Sequence, residues 1–437
     1  MPNQHVDVAV IGLGSAGEAL SAALARSGRS VVGFEPNLIG GECPFTACMP
    51  SKVLLHHASR SAPDWDAARQ HRDEVVNRLD DSGHHDELVE AGVTVVRERA
   101  HLDGERMVRA GDNTWTADLV VLATGSAAVV PPIDGLDRQR IWTSDDLMTA
   151  PTLPGSCVLV GGGVIGCESA AILAGFGTAV TLVEGEDHLL AGAVAPQVGE
   201  LLGERLSDLG VDVRTGNDVE AIEHRDGDDE VRIAGGEAVS GACVLVAIGQ
   251  APVWDGVGLE RVGLDGRPDV DDDYVVGGLG WLRAIGDVDG RSPWTHAANH
   301  EAARLVELLT SDDARPEVPN MPSCIFTDPP VAAVGLTAAQ ARDAGHEVIS
   351  GTARYSDIAR YATDQTFDGM VVVVADRDTG ALLGCSGIGP RFDDTISVVA
   401  ALMRGGITVE EAARHIIPFP TMSQVLAPAF QAAADQR

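Results

Sequence analysis

Lysine is nearly absent from this chain. Of its 31 Lys and Arg residues, only Lys52 is a lysine, and these stand against 65 Asp and Glu, for a formal charge of −34. Such a surface repels phosphate backbones and anionic membranes, so neither a nucleic-acid nor a membrane partner is expected. A solvated acidic surface, fitting a salty cytoplasm or a GC-rich genome, accounts for the imbalance. Long apolar runs are also missing: none approaches the ~18 residues of a membrane-spanning helix. The opening "MPNQHVDVAVIGLG" has no charged and apolar leader pattern, and a cytoplasmic protein is expected. Seven cysteines in 437 residues are too few and too scattered for a disulfide framework. Cys157, Cys167, Cys243, Cys324 and Cys385 lie in apolar or glycine-rich segments, where a buried thiol is the default.

Glycine patterns, by contrast, are prominent. "VDVAVIGLGSAGEALSAALARSGRSVVGFE" reads as strand, glycine turn, alanine-rich helix and strand, and "SCVLVGGGVIGCESAAILAGFGTAVTLVE" repeats it. From Gly12 to Glu35 and from Gly161 to Glu184 the interval is the same 23 residues. The repeat predicts two βαβ dinucleotide-binding modules, each with its apolar strands in a parallel sheet covered on both faces. In the first, Gly12, Gly14 and Gly17 make the tight turn, admit a pyrophosphate and allow close helix packing, and Glu35 is placed to bind ribose hydroxyls. Gly161, Gly163, Gly166 and Glu184 do the same in the second. A carboxylate at Glu184, with no arginine nearby, favours NADH over NADPH.

The expected class is α/β, with two Rossmann-like domains and a C-terminal α+β domain, for which the family resemblance given below implies a role in dimerisation. The expected segments are 1–150 for the first module, 151–272 for the second, 273–320 for a return to the first, and 321–437 for the last domain, where the texture changes at "MPSCIFTDPPVAAVGLT".

Cys43 and Cys48 in "GGECPFTACMPSK" form the one local cysteine constellation. A close pair of this kind is redox-active or metal-binding, and the metal reading lacks a second ligand pair at suitable spacing, so no metal site is expected. Two nucleotide modules and a cysteine pair suggest a path from nicotinamide to flavin to disulfide, because a dithiol alone accepts hydride poorly.

These residues resemble the flavin-dependent pyridine nucleotide-disulfide oxidoreductases, the family of dihydrolipoamide dehydrogenase, glutathione reductase and mercuric reductase. "GGECPFTACMPSK" is similar to the family's redox-disulfide segment, "LATGS" and "AIGDV" to its flavin-side turns, and "GGGVIGCE" to its nicotinamide loop. "FTDPPVAAVGLT" is similar to the start of its dimerisation domain. The resemblance implies FAD, a Cys43–Cys48 redox disulfide and a homodimer. It makes Cys48 the thiol at the flavin and Cys43 the thiol that meets the acceptor, a small molecule. A helix expected to start at Cys48 agrees with that division, since helix N-termini favour thiolates. Lys52 is implied to pair with Glu168 beside the flavin, and Asp287 to hold its ribityl chain. Gly41, Thr124 and Gly125 are implied to line the flavin site, and Gly249 the nucleotide site.

One departure stands out. Disulfide reductases of this family carry a C-terminal histidine before Pro-Thr and a glutamate soon after, acting across the dimer as base and acid. Here Phe419 precedes Pro420 and Thr421, and Gln424 takes the glutamate's place. His415, His56, His57, His84, His85, His296 and His300 are expected in structural or surface roles. Mercuric reductases also lack the histidine, but the ending "FQAAADQR" shows no cysteine pair and the opening no metal-binding domain like theirs, so efficient mercury reduction is not expected. Three functions stay open: reduction of an unusual disulfide, a diaphorase acting on quinones or metal ions, and a low-turnover regulatory flavoprotein.

Overall fold

A computed structural model of the chain describes residues 4–137, 139–225, 227–311 and 320–437. The described residues fall into two compact units, those within Met1–Pro50, Gln70–Val129 and Gln250–Glu317, and those within Ser51–Arg69, Val130–Gly249 and Val318–Arg437.

In the first unit, Val8, Ala9 and Val10 have no solvent-facing surface, and such a run is stable only in a sheet packed on both faces. Strand Gln4–Ile11 accordingly pairs in parallel with Val31–Phe34 on one side and Asn113–Leu122 on the other. Val93–Val96 and Leu282–Ala284 extend the parallel sheet outward, and Met107–Ala110 and Ala100–Gly104 add an antiparallel edge. One face packs Phe34, Trp115, Trp254 and Trp281. The other packs Leu20 and Leu24 of helix Ser15–Arg26 against Ala302 and Leu305 of helix Thr295–Thr310.

The second unit holds a parallel sheet ordered Asp212–Arg214, Ala179–Val183, Ser156–Val160, Val244–Val246. An antiparallel sheet of five strands follows: Ser323–Ile325, Val331–Gly335, Leu382–Ile388, Met370–Asp376 and Val348–Arg354. Helices Phe392–Arg404 and Leu426–Ala434 cover this sheet through Phe392 and Phe430. Residues from Gln250 onward already belong with the first unit, ahead of the return expected at 273, because Gln250–Pro252 pairs antiparallel with Ser126–Ala128. Among the described residues, no helix is long and apolar enough to cross a membrane.

Candidate functional site

The two glycine loops are built alike. Gly12 has φ of 96° and its N–H donates to Phe34 O at 2.9 Å; Gly161 has φ of 108° and donates to Val183 O at 2.8 Å. A Cβ on Gly17 would run into the Gly12 carbonyl, and one on Gly166 into the Gly161 carbonyl. Helices Ser15–Arg26 and Val164–Gly175 start directly after Gly14 and Gly163, so each loop ends at a helix N-terminus, whose first N–H groups have no acceptor within the helix. At the end of each second strand the acid is locked by the backbone. Glu35 accepts from Leu13 N–H at 3.0 Å and Asn37 N–H at 2.9 Å. Glu184 accepts from Gly162 N–H at 2.5 Å and Glu186 N–H at 2.8 Å.

The first unit gathers further expected residues. Gly40 bridges Gly14 in parallel, and Gly41, at φ of 74°, lies so close to Gly14 that no side chain fits between them. Cys43 sits in the single-turn helix Glu42–Phe45. Cys48 opens helix Cys48–Ala58, with its Sγ 3.4 Å from Thr295 Oγ1. Thr124 Oγ1 donates to Val253 O at 2.7 Å, and Gly125, at φ of 71°, accepts from Val253 N–H. Ser126 Oγ stands 2.7 Å from Asp287 Oδ2 and 2.6 Å from Gln250 Oε1. Burial pushes the Asp287 carboxyl up from its ordinary value, and the Ser126 hydroxyl partly offsets this. Glu301, buried, accepts Gly286 N–H at 2.5 Å and so fixes the turn that presents Asp287.

In the second unit, Lys52 Nζ lies 3.0 Å from Glu168 Oε2 and 3.2 Å from Oε1. Lys52 is one turn beyond Cys48 on the same helix. Gly249, at φ of 118°, follows strand Val244–Val246, which aligns with the Gly161 loop through Ala247 N–H donating to Val160 O at 2.7 Å. Phe419 is 74% exposed and Ile416 89%. Gln424 Oε1 accepts Thr421 N–H at 3.4 Å as part of a capping box on the turn Met422–Val425. Of the histidines set aside in the sequence, His84 pairs with Glu18 at 2.8 Å.

Ser126, Thr295 and Phe326 were not singled out by the sequence. Ser126 completes "LATGS", Thr295 opens the helix of "WTHAANHE", and Phe326 begins "FTDPP", but nothing in their spacing distinguishes them.

The remaining thiols divide by burial. Cys167 and Cys385 are pushed well up by burial; Cys243 is pushed up first by its hydrogen bond with Cys157 and then by burial. Burial, with Asp393 and Asp394 nearby, raises half-buried Cys324 to about 11. At pH 8 only ~10⁻³ of Cys324 is then thiolate, the reactive form. Iodoacetamide applied to the reduced native protein is therefore expected to label Cys43 and Cys48 first. Cys324 should lag by roughly a hundredfold, and Cys167, Cys243 and Cys385 should react only after unfolding. Peptide mass spectrometry of a time course reads the order.

Comparison with known proteins agrees with this architecture. The model for pyridine nucleotide-disulphide oxidoreductases matches residues 6–302, and that for the dimerisation domain of the same family matches residues 321–430. A dihydrolipoyl dehydrogenase of Bacillus subtilis is 30% identical over 450 residues, covering 96% of both chains. A glutathione reductase of Burkholderia cepacia is 31% identical over 404 residues, covering 88% of this chain and 86% of that one. Among solved structures, the Cu(II) complex of the HOCl-induced flavoprotein disulfide reductase RclA from Escherichia coli superimposes with a TM-score of 0.88. It is 27% identical and covers 99% of each chain. Proteins of this family are FAD-dependent and bind a pyridine nucleotide. Two nucleotide-type glycine loops, a cysteine pair at a helix start and a matching C-terminal domain thus converge, and the chain belongs to the pyridine nucleotide-disulphide oxidoreductase family.

Proposed function

We propose that the chain is an NADH-dependent disulfide reductase that works as a cytoplasmic homodimer and passes electrons out through Cys43 to a small-molecule disulfide. The observation that carries this reading is Cys48 at the first position of helix Cys48–Ala58, with Lys52 one turn on and held by Glu168 at 3.0 Å. The residues present fit the cofactors. Gly12, Gly14, Gly17, Gly41 and Glu35, with Thr124, Gly125 and Asp287, would hold FAD; Gly161, Gly163, Gly166, Gly249 and Glu184 would hold NADH. Both loops have cradles that a Cβ would fill, and both acids are held by backbone N–H groups. When bound, FAD supplies the relay that hands the nicotinamide's electron pair to the Cys43–Cys48 disulfide.

The protein's own residues do the rest. The Cys43 thiolate attacks one sulfur of the acceptor RSSR, forming Cys43–S–S–R and releasing RS⁻, which takes a proton. The Cys48 thiolate then attacks the Cys43 sulfur, closing Cys43–Cys48 and releasing the second RS⁻. Overall, NADH + H⁺ + RSSR gives NAD⁺ + 2 RSH. Lys52, pinned by Glu168, offers a fixed positive charge where negative charge gathers on reduction.

Neither Phe419 nor Gln424 can move a proton at neutral pH. Acceptors whose thiols leave without protonation are favoured. A second reading rests on the same exposed Phe419: a diaphorase that reduces quinones or metal ions, the latter in keeping with a neighbour solved as a Cu(II) complex.

The test follows NADH and NADPH oxidation with an alkyl disulfide, an aromatic disulfide of acidic thiols, a benzoquinone and Cu(II). The reading expects the aromatic disulfide to outpace the alkyl one by roughly 10²-fold or more, the usual worth of an acid/base. NADH should exceed NADPH by about tenfold in kcat/KM, a difference of about 1.4 kcal/mol. Turnover of quinone or Cu(II) alone would favour the second reading, and no turnover of any acceptor would leave a regulatory flavoprotein.

A further inference from the structure

The Lys52–Glu168 pair does not stand by itself. Phe326, directly after strand Ser323–Ile325, touches both of its members. Its backbone N–H donates to Glu168 Oε1 at 2.9 Å, the same oxygen that lies 3.2 Å from Lys52 Nζ. Its ring centroid is 4.7 Å from the Lys52 ammonium, well inside the range of a cation–π attraction. The ring is nonetheless 38% exposed, so core packing alone does not account for a large aromatic group here.

We infer that Phe326 is a positioning residue that clamps the ion pair. Lysine is a flexible four-carbon stem carrying a point charge, and a single carboxylate fixes that charge along one direction only. At this site the ammonium has three partners: the carboxylate at 3.0 Å, Ser51 Oγ at 3.2 Å and the aromatic ring at 4.7 Å. Glu168 is anchored in turn by the Phe326 backbone, so one residue steadies the cation through its ring and the anion through its N–H. The inference rests on the proposed placement of Lys52 beside the flavin. It goes further by assigning to the ring part of the tuning of the flavin's reduction equilibrium.

Side-chain substitution separates the two contacts, because every replacement except proline keeps the backbone N–H on Glu168. The measurement is the flavin reduction equilibrium against a reference dye, made anaerobically on holoprotein in a Cys48→Ser background, where the flavin is the only two-electron centre. Phe326→Leu is expected to lower the equilibrium constant for reduction about tenfold, or about 30 mV for a two-electron couple. Phe326→Tyr, which keeps the ring, should stay within about twofold of the parent. Lys52→Met calibrates the scale with a loss at least as large as that of Phe326→Leu. A Phe326→Leu value within about twofold of the parent, with Lys52→Met shifted, would overturn the clamp and leave the proposed function standing. An unshifted Lys52→Met would overturn the placement of Lys52 and the clamp together. A purified protein that carries no flavin and takes up none when FAD is added would overturn the whole reading.

Discussion

Cys43→Ser is expected to bring disulfide reduction down by roughly 10⁴-fold or more while quinone reduction by NADH stays within about twofold of the parent. The asymmetry follows from which atom each acceptor needs. A disulfide must be attacked by a positioned thiolate, and the serine hydroxyl is a poor nucleophile at neutral pH. A quinone takes electrons without forming a bond to sulfur, so the change at Cys43 leaves its route open. Cys43 lies in the single-turn helix Glu42–Phe45, outside helix Cys48–Ala58, so the change should leave the helix start at Cys48 intact. Parallel assays on one preparation check this, and equal loss of both activities would contradict a reduction route that bypasses Cys43.

The double change Phe419→His, Gln424→Glu is expected to raise kcat/KM for alkyl disulfides by about 10²–10⁴-fold, and to change the aromatic disulfide rate little. An alkyl thiol, with a pKa near ~8.5, is a poor leaving group unless a proton meets it. The backbone is suited to both substitutions. Phe419 is 74% exposed, so a histidine ring there displaces no packing within the subunit. Gln424 serves as the capping-box residue of the turn Met422–Val425, a role glutamate fills equally well. The pair should therefore cost little stability. A variant that folds, binds nucleotide and gains nothing on alkyl disulfides would mean that the pocket itself excludes them.

Much of the site was legible because its signals are local. The 23-residue interval from glycine loop to acid, the apolar strands and the cysteine spacing are short-range patterns set by one βαβ unit. They reappear as the matched hydrogen bonds of Glu35 and Glu184. The pairing of Lys52 with Glu168 joins residues 116 apart in sequence, so only the resemblance to a family suggested it. Thr295 beside Cys48, Ser126 beside Asp287 and Phe326 beside Glu168 were invisible for the same reason. A hydrogen bond between distant segments leaves no periodicity behind. The return of the chain to its first unit at Gln250 was likewise hidden, because a three-residue strand such as Gln250–Pro252 is too short to alternate recognisably. Exposure also had to come from the structure: Cys324 reads like the other scattered cysteines, yet it is half-buried where Cys157, Cys167, Cys243 and Cys385 are enclosed.

The central claim is that electrons from NADH come to rest on Cys43 and Cys48. Anaerobic addition of one equivalent of NADH to the oxidised holoprotein, followed by absorbance, tests it most directly. The account predicts a long-wavelength charge-transfer band from the Cys48 thiolate to oxidised flavin, lost in Cys48→Ser, together with two newly alkylatable thiols at Cys43 and Cys48. Bleaching of the flavin with no such band and no new thiols would contradict it.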